Sequence, residues 1–209
     1  VGRITIDDIV DVIKEEADKD YQLAAGISQD VEADDSILEL TRARLPWLVL
    51  ALLGGFVSVT VLGGFEDALG SFKELFFFTP LIAAMAGNVG VQSSAIIIQG
   101  LANDSISGSL FQRLVKELSL SLLNGVILSV ILFVGSYLLL GVSPAIGITV
   151  TISLLSVIIM ASLVGTFIPF VLNKYGIVPA LATGPFITTS NDIMGILIYF
   201  SLAKLILGF

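Results

Sequence analysis

Charges fall along this chain in clusters, and long apolar stretches lie between them. Leu45 to Phe65 is uncharged, and Glu66, Asp67, Lys73 and Glu74 then interrupt. Leu75 to Asn103 is again uncharged, Asp104 to Glu117 is polar, and Leu118 to Asn173 runs without a charge. A bilayer core about 30 Å thick is crossed by a helix of about 20 apolar residues. The longest run therefore holds two helices, and Gly141-Val142-Ser143-Pro144 divides it, since Gly and Pro end helices. Asn173-Lys174-Tyr175-Gly176 and Pro179 precede the last apolar segment. The pattern predicts an all-α polytopic membrane protein with five spans, near 46–65, 75–102, 118–140, 144–173 and 182–208.

The N-terminal part reads differently. Residues 1–5 predict a short strand, and Thr5 can cap a helix. From Ile6 to Ala24 the apolar residues Ile6, Ile9, Val10, Ile13 and Ala17 share one stripe, with acids on the other faces. Gly26 can end this helix. Residues 28–35 are polar, and 36–45 predict a short helix leading into the first span. One strand and one helix cannot bury a core alone, so residues 1–27 are expected to be the tail of a larger cytoplasmic domain and 28–45 a connecting segment.

Composition supports this division. The chain is 56% hydrophobic and 13% charged, against about 25% charged in ordinary globular domains. Of the net charge of −8, residues 1–45 hold −7, twelve acids against five bases. Such an acidic segment suits cations and argues against nucleic acid or an anionic lipid surface. Cys and His are both absent, which removes the soft and imidazole ligands of most zinc, copper and haem sites. A bound metal would be a hard cation held by oxygen. With the N-terminus in the cytoplasm, Arg3, Lys14, Lys19, Arg42, Arg44, Arg113, Lys116 and Lys174 lie inside. Lys73 and Lys204 then lie outside, as does the C-terminus. The expected location is the cell (inner) membrane.

Three features carry candidate chemistry. Asp192 is the one charged residue deep inside a predicted span, Lys204 lying near the end of the last, with Thr188 and Thr189 one turn before it and Ser190 and Asn191 adjacent. A carboxylate at that depth costs about 2.5–3.5 kcal/mol on insertion scales, and its surroundings suit water better than lipid. Gly87-Asn88-Val89-Gly90-Val91-Gln92-Ser93-Ser94 puts small and amide residues in the second span, where helices pack closely or line a wet path. Thr183-Gly184-Pro185-Phe186 predicts a broken or late-starting last helix.

Pro80-Leu81-Ile82-Ala83, GNVGVQSS at 87–94, Gly165-Thr166-Phe167-Ile168-Pro169 and PALATGPFITTSNDIMGILI at 179–198 together resemble the MgtE family of magnesium channels. The likeness covers residues 45–209 in order. Residues 1–12 are similar to the end of the second CBS domain that precedes the channel in that family, and 36–45 to the end of its plug helix. The resemblance implies a homodimer in the lipid bilayer with the ion path on its two-fold axis. It implies a pore carboxylate at Asp192, a pore-lining amide at Asn88, and cytoplasmic regulatory Mg²⁺ sites at Asp8, Asp11, Glu16 and Asp20. Two departures stand out: Lys19 replaces a family acid, and Val178 replaces the Asp of a family Asp-Pro-Ala.

The residues themselves agree with such an ion. Mg²⁺ dehydrates reluctantly and is best held by one or two carboxylates with its waters retained. Asp192 doubled by symmetry supplies two, and Thr188 and Asn88 can hydrogen-bond the waters. Gly87, Gly90, Gln92, Gly184, Pro185 and Thr189 are expected to line or pack that path, with the protomers meeting around the second and fifth spans. Two other readings remain at this point: a coupled divalent-cation transporter exchanging H⁺ or Na⁺, and a non-conducting membrane Mg²⁺ sensor. No nucleophile–base pair or cofactor motif points to an enzyme.

Overall fold

The computed structural model describes residues 4–28, 30–103, 105–106, 108–182 and 184–209. It is all-helical, and five of its helices are long and apolar enough to cross a membrane.

Helix α1, Ile6–Ala24, opens with a capping box. Asp8 N–H donates to Thr5 Oγ1 at 3.3 Å, and the Asp8 carboxylate accepts from Thr5 N–H at 2.7 Å. The strand expected ahead of it falls on residues 1–3, outside the described residues, and on Ile4 and Thr5, which join no strand. The apolar stripe of α1 is uncovered: Ile6 is 80% exposed and Ile13 63%.

Helix α2, Ile37–Gly63, is also started by a capping box, between Ser36 and Glu39. The connecting segment and the first span are thus one helix that passes through Pro46. Proline disturbs the hydrogen-bond ladder of the preceding turn. There Ser28 donates both its N–H and its hydroxyl to the Ala43 carbonyl at 2.9 Å. A short turn, α3 (Asp67–Ser71), leads to α4 (Glu74–Ala102).

Helix α5, Leu110–Leu140, begins eight residues ahead of the expected span, because Ser109 and Gln112 form a third capping box. Arg113, Lys116 and Glu117 are therefore helical and continuous with the apolar run. Gly141 ends α5 in the left-handed conformation at φ 62°. Ser143 caps α6, Pro144–Lys174, with Pro144 in its first turn. A 3₁₀ turn, Pro179–Ala182, precedes the last helix, α7 (Pro185–Leu207). That helix starts late, as Gly184-Pro185 predicts: Gly184 holds φ 60°, ψ −130° and Pro185 opens the helix.

Helix α6 is the hub, packing against α4, α5 and α7, while α2 lies on α7. The apolar core joins Leu75, Phe78 and Ile82 of α4, Val150, Leu154 and Val157 of α6, and Tyr199, Phe200 and Ala203 of α7. At that end Phe200 stacks on Phe65 at 5.4 Å and meets Phe76 at 5.0 Å, and Tyr199 OH donates to the Leu75 carbonyl at 2.8 Å.

Candidate cation site

Asp192 lies in the second turn of α7 and faces α4 at a position where α4 has no side chain. A Cβ on Gly87 would stand 3.4 Å from Asp192 Oδ1 and 3.7 Å from Thr188 Cγ2. Thr188 is four residues before Asp192 and therefore on the same face of the helix. Its hydroxyl donates back to the carbonyls of Gly184, at 3.0 Å, and Pro185, at 3.2 Å. This leaves the Thr188 hydroxyl oxygen and the Asp192 carboxylate on one helix face beside Gly87. Both are oxygen ligands or acceptors suited to a hydrated hard cation.

The helices that hold this face approach through glycine. A Cβ on Gly90 would collide with the Asn191 amide, and one on Gly165 with the Gly90 carbonyl. On the other side of α7, a Cβ on Gly54 of α2 would collide with Thr189. Asn191, between these contacts, is fully buried and neither its carbonyl nor its NH₂ has a hydrogen-bond partner among the described residues. A buried amide left unpaired costs about 1–3 kcal/mol, so the packing around Asp192 is bought with polar strain.

The structure thus brings Asp192, Thr188 and Gly87 together, and sets Gly90 and Thr189 against their own neighbours. Gly184 and Pro185 fix where α7 begins. A Cβ on Gly184 would stand 2.6 Å from the Ala24 carbonyl, and one on Gly26 would stand 2.7 Å from the Pro185 ring. The end of α1 is therefore seated on the start of α7. Thr183 lies outside the described residues.

Asn88 and Gln92 are placed elsewhere. They line a groove between α4 and α5, floored by Ile158 and Ser162 of α6, with Ser93, Glu117, Ser121 and Asn124. No described hydrogen bond joins Asn88 to Asp192. Glu117 is hidden in the sequence, where it closes a polar connection and looks like the edge of the third span. The Ser109-x-x-Gln112 capping signature was the available sign that α5 begins earlier.

The four regulatory candidates on α1 are dispersed. The Asp8 carboxylate caps its own helix, and the Thr5 hydroxyl, then the Thr5 N–H, hold it below the usual aspartate range. Glu16 pairs with Lys19 at 3.9 Å in solvent, a contact of little energetic weight. Asp11 lines a surface hollow with Glu15, Asp18 and Asp30, whereas Asp20 borders a cleft with Leu101, Asn173 and Val178. Among the described residues, no three acids converge on one point.

The family model for MgtE, divalent cation transporter, matches residues 79–202. The chain belongs to the MgtE family. The MgtE match runs from within α4 to within α7, and so takes in Gly87, Glu117, Gly165 and Asp192. Over 97% of its length the chain is 39% identical to a protein of Bacillus subtilis named magnesium transporter MgtE. Over 99% it is 36% identical to one of the same name from Thermus thermophilus. Those alignments cover 45% and 46% of the two relatives, so the chain spans about half the length of the MgtE proteins it matches.

Proposed function

We propose that this chain forms the membrane body of a Mg²⁺ channel for magnesium uptake, with Asp192 as the principal ion site. The carrying observation is the Asp192 carboxylate, inside an apolar helix and beside Thr188, where Gly87 leaves α4 bare. An intramembrane carboxylate is expensive without a functional partner, and rings of acidic side chains serve cation pores. The names of the relatives support Mg²⁺ as the ion. Two copies meeting around α4 and α7 place two Asp192 carboxylates about one axis, matching the one or two that a hydrated Mg²⁺ takes. The N-terminus lies in the cytoplasm and the C-terminus outside, following the placement of Lys and Arg.

Residues 1–27 act in this reading as the end of a cytoplasmic CBS domain, and 28–45 as its connection to the channel. Asp8, Asp11, Glu16 and Asp20 give a weak cytoplasmic Mg²⁺ response, because Lys19 and Val178 remove acids from that side. Asp8 contributes least, its Oδ2 being engaged twice by Thr5.

The test is Mg²⁺ flux into proteoliposomes made with the purified chain. Asp192→Asn keeps the shape and removes the charge, and flux is expected to drop about tenfold or more. Undiminished flux in that variant would overturn the site, and an obligatory counterflow of H⁺ or Na⁺ would replace the channel by a coupled transporter.

A further inference from the structure

Helices α4 and α5 both pack on α6, and the cleft between them is crossed by one described polar contact. Ser93 Oγ donates to Glu117 Oε1 at 2.6 Å. Around this contact lies a cavity of about 420 Å³ whose walls are polar at Asn88, Gln92, Ser121 and Asn124 and apolar at residues such as Val89 and Leu128. The polar residues follow helical spacing: Asn88 and Gln92 are four apart, and Glu117, Ser121 and Asn124 are four and then three apart. Each set therefore forms one stripe, and the two stripes face a common space. Glu117 is about 10 Å along α5 from its first residue, and Asn124 is about 10 Å further.

Asn88, Gln92 and Asn124 are exposed in this single chain. Lipid cannot satisfy amides or a carboxylate, whereas water or a hydrated ion can. Glu117 is the one charged residue among those lining it. The single ion pair among the described residues is Lys19 with Glu16, so no described cation forms a salt bridge with Glu117. Six waters at about 30 Å³ each come to about 180 Å³, so the cavity has room for a cation with that shell intact. Amides and hydroxyls both donate to and accept from such waters.

We infer that the α4–α5 groove is a second station for a hydrated divalent cation, with Glu117 as its charge and Asn88, Gln92 and Asn124 as partners of its waters. The station is separate from Asp192 and deepens the channel reading, on which its role in conduction rests; its occupancy by a cation does not.

The absence of cysteine in the chain makes a direct test possible in proteoliposomes of the whole chain. Asn124→Cys puts one thiol in the groove, and Leu138→Cys puts one on the apolar face of α5, where Leu138 is 69% exposed. A membrane-impermeant cationic methanethiosulfonate should label the first and spare the second. Added MgCl₂ should slow labelling of Asn124→Cys by a factor of 1 + [Mg²⁺]/Kd, roughly tenfold when Mg²⁺ stands tenfold above Kd. KCl of equal ionic strength should not. Adding Glu117→Gln, which can still accept from Ser93, should abolish the protection. Glu117→Asp should restore it, and Asp192→Asn should leave it in place. A groove that never labels, as when a second copy seals it, or protection that survives Glu117→Gln, would overturn the inference. Absence of Mg²⁺ flux from the unaltered chain would instead overturn the channel reading and leave the labelling result standing.

Discussion

Asp192 and Glu117 both lie in helices able to cross a membrane, and both face α4, yet α4 meets them in opposite ways. Toward Asp192 it presents Gly87 and toward the adjacent Asn191 it presents Gly90, and the backbones close in until Gly165 of α6 touches the Gly90 carbonyl. Toward Glu117 it presents Asn88, Gln92 and Ser93, and the helices stand apart around a cavity. One helix therefore has a face built for approach and a face built for separation, offset by a single residue, about 100° around the axis. Small residues bring membrane helices together because lipid offers no hydrophobic drive for association. Amides hold a space open because they need water or an ion.

The largest expected effect tests the closed face. Gly165→Leu drives a side chain into the Gly90 backbone, which cannot move aside as a side chain would. Overpacking usually costs about 1–3 kcal/mol and more where backbone must shift. We expect loss of the folded chain or a large fall in thermal midpoint in detergent, and a Gly165→Leu chain as stable as the parent would break the comparison.

Asn191→Leu comes next, with the opposite sign. It removes an amide that is buried and unpaired, so stability is expected to rise by about 1–2 kcal/mol. A fall of that size in the same melt would mean that the amide is satisfied by a partner in the assembled protein. On the open face, Asn88→Ala and Gln92→Ala should change stability by less than about 0.5 kcal/mol, as surface substitutions do. A large loss there would mean that the groove is a packed contact.

The smallest effect lies outside the membrane body. Folding lowers the proton affinity of Asp8, so its contribution is full above the ordinary aspartate range and is lost as pH falls through the lowered value. The first turn of α1 should fray over that acidic interval, read as amide exchange at Asp8, and Thr5→Ala should move the fraying to higher pH. An interval unmoved by Thr5→Ala would detach the shift from the cap.

Much of this architecture is legible from charge placement alone. The five apolar runs correspond to the five long helices, and Gly184-Pro185 marks the late start of α7. Asp192 stands out because nothing charged surrounds it in the sequence. Glu117 does not, since it adjoins a polar connection and looks like its border until the capping box at Ser109 moves the helix start. The partners of the glycines are beyond any local reading: Gly90 and Gly165 each look permissive in sequence, and only their meeting gives them a purpose. The stripe of α1 is legible as amphipathic, but what covers it is not.

The order in which the helices pack also bears on how the protein is made. Synthesis delivers N-terminal segments first, at about 5–20 residues per second. Yet α2, the first of these five long helices to be made, finds its principal partner in α7, the last of the five. Helices α4 and α5 likewise wait for α6. Until the final segment emerges, the inserted helices have few native contacts with one another, and a carboxylate and several amides stand without their intended surroundings. Biogenesis of this chain is thus a waiting problem: a ribosome stalled before Pro185 would leave α2 unclaimed in the bilayer, open to membrane quality control.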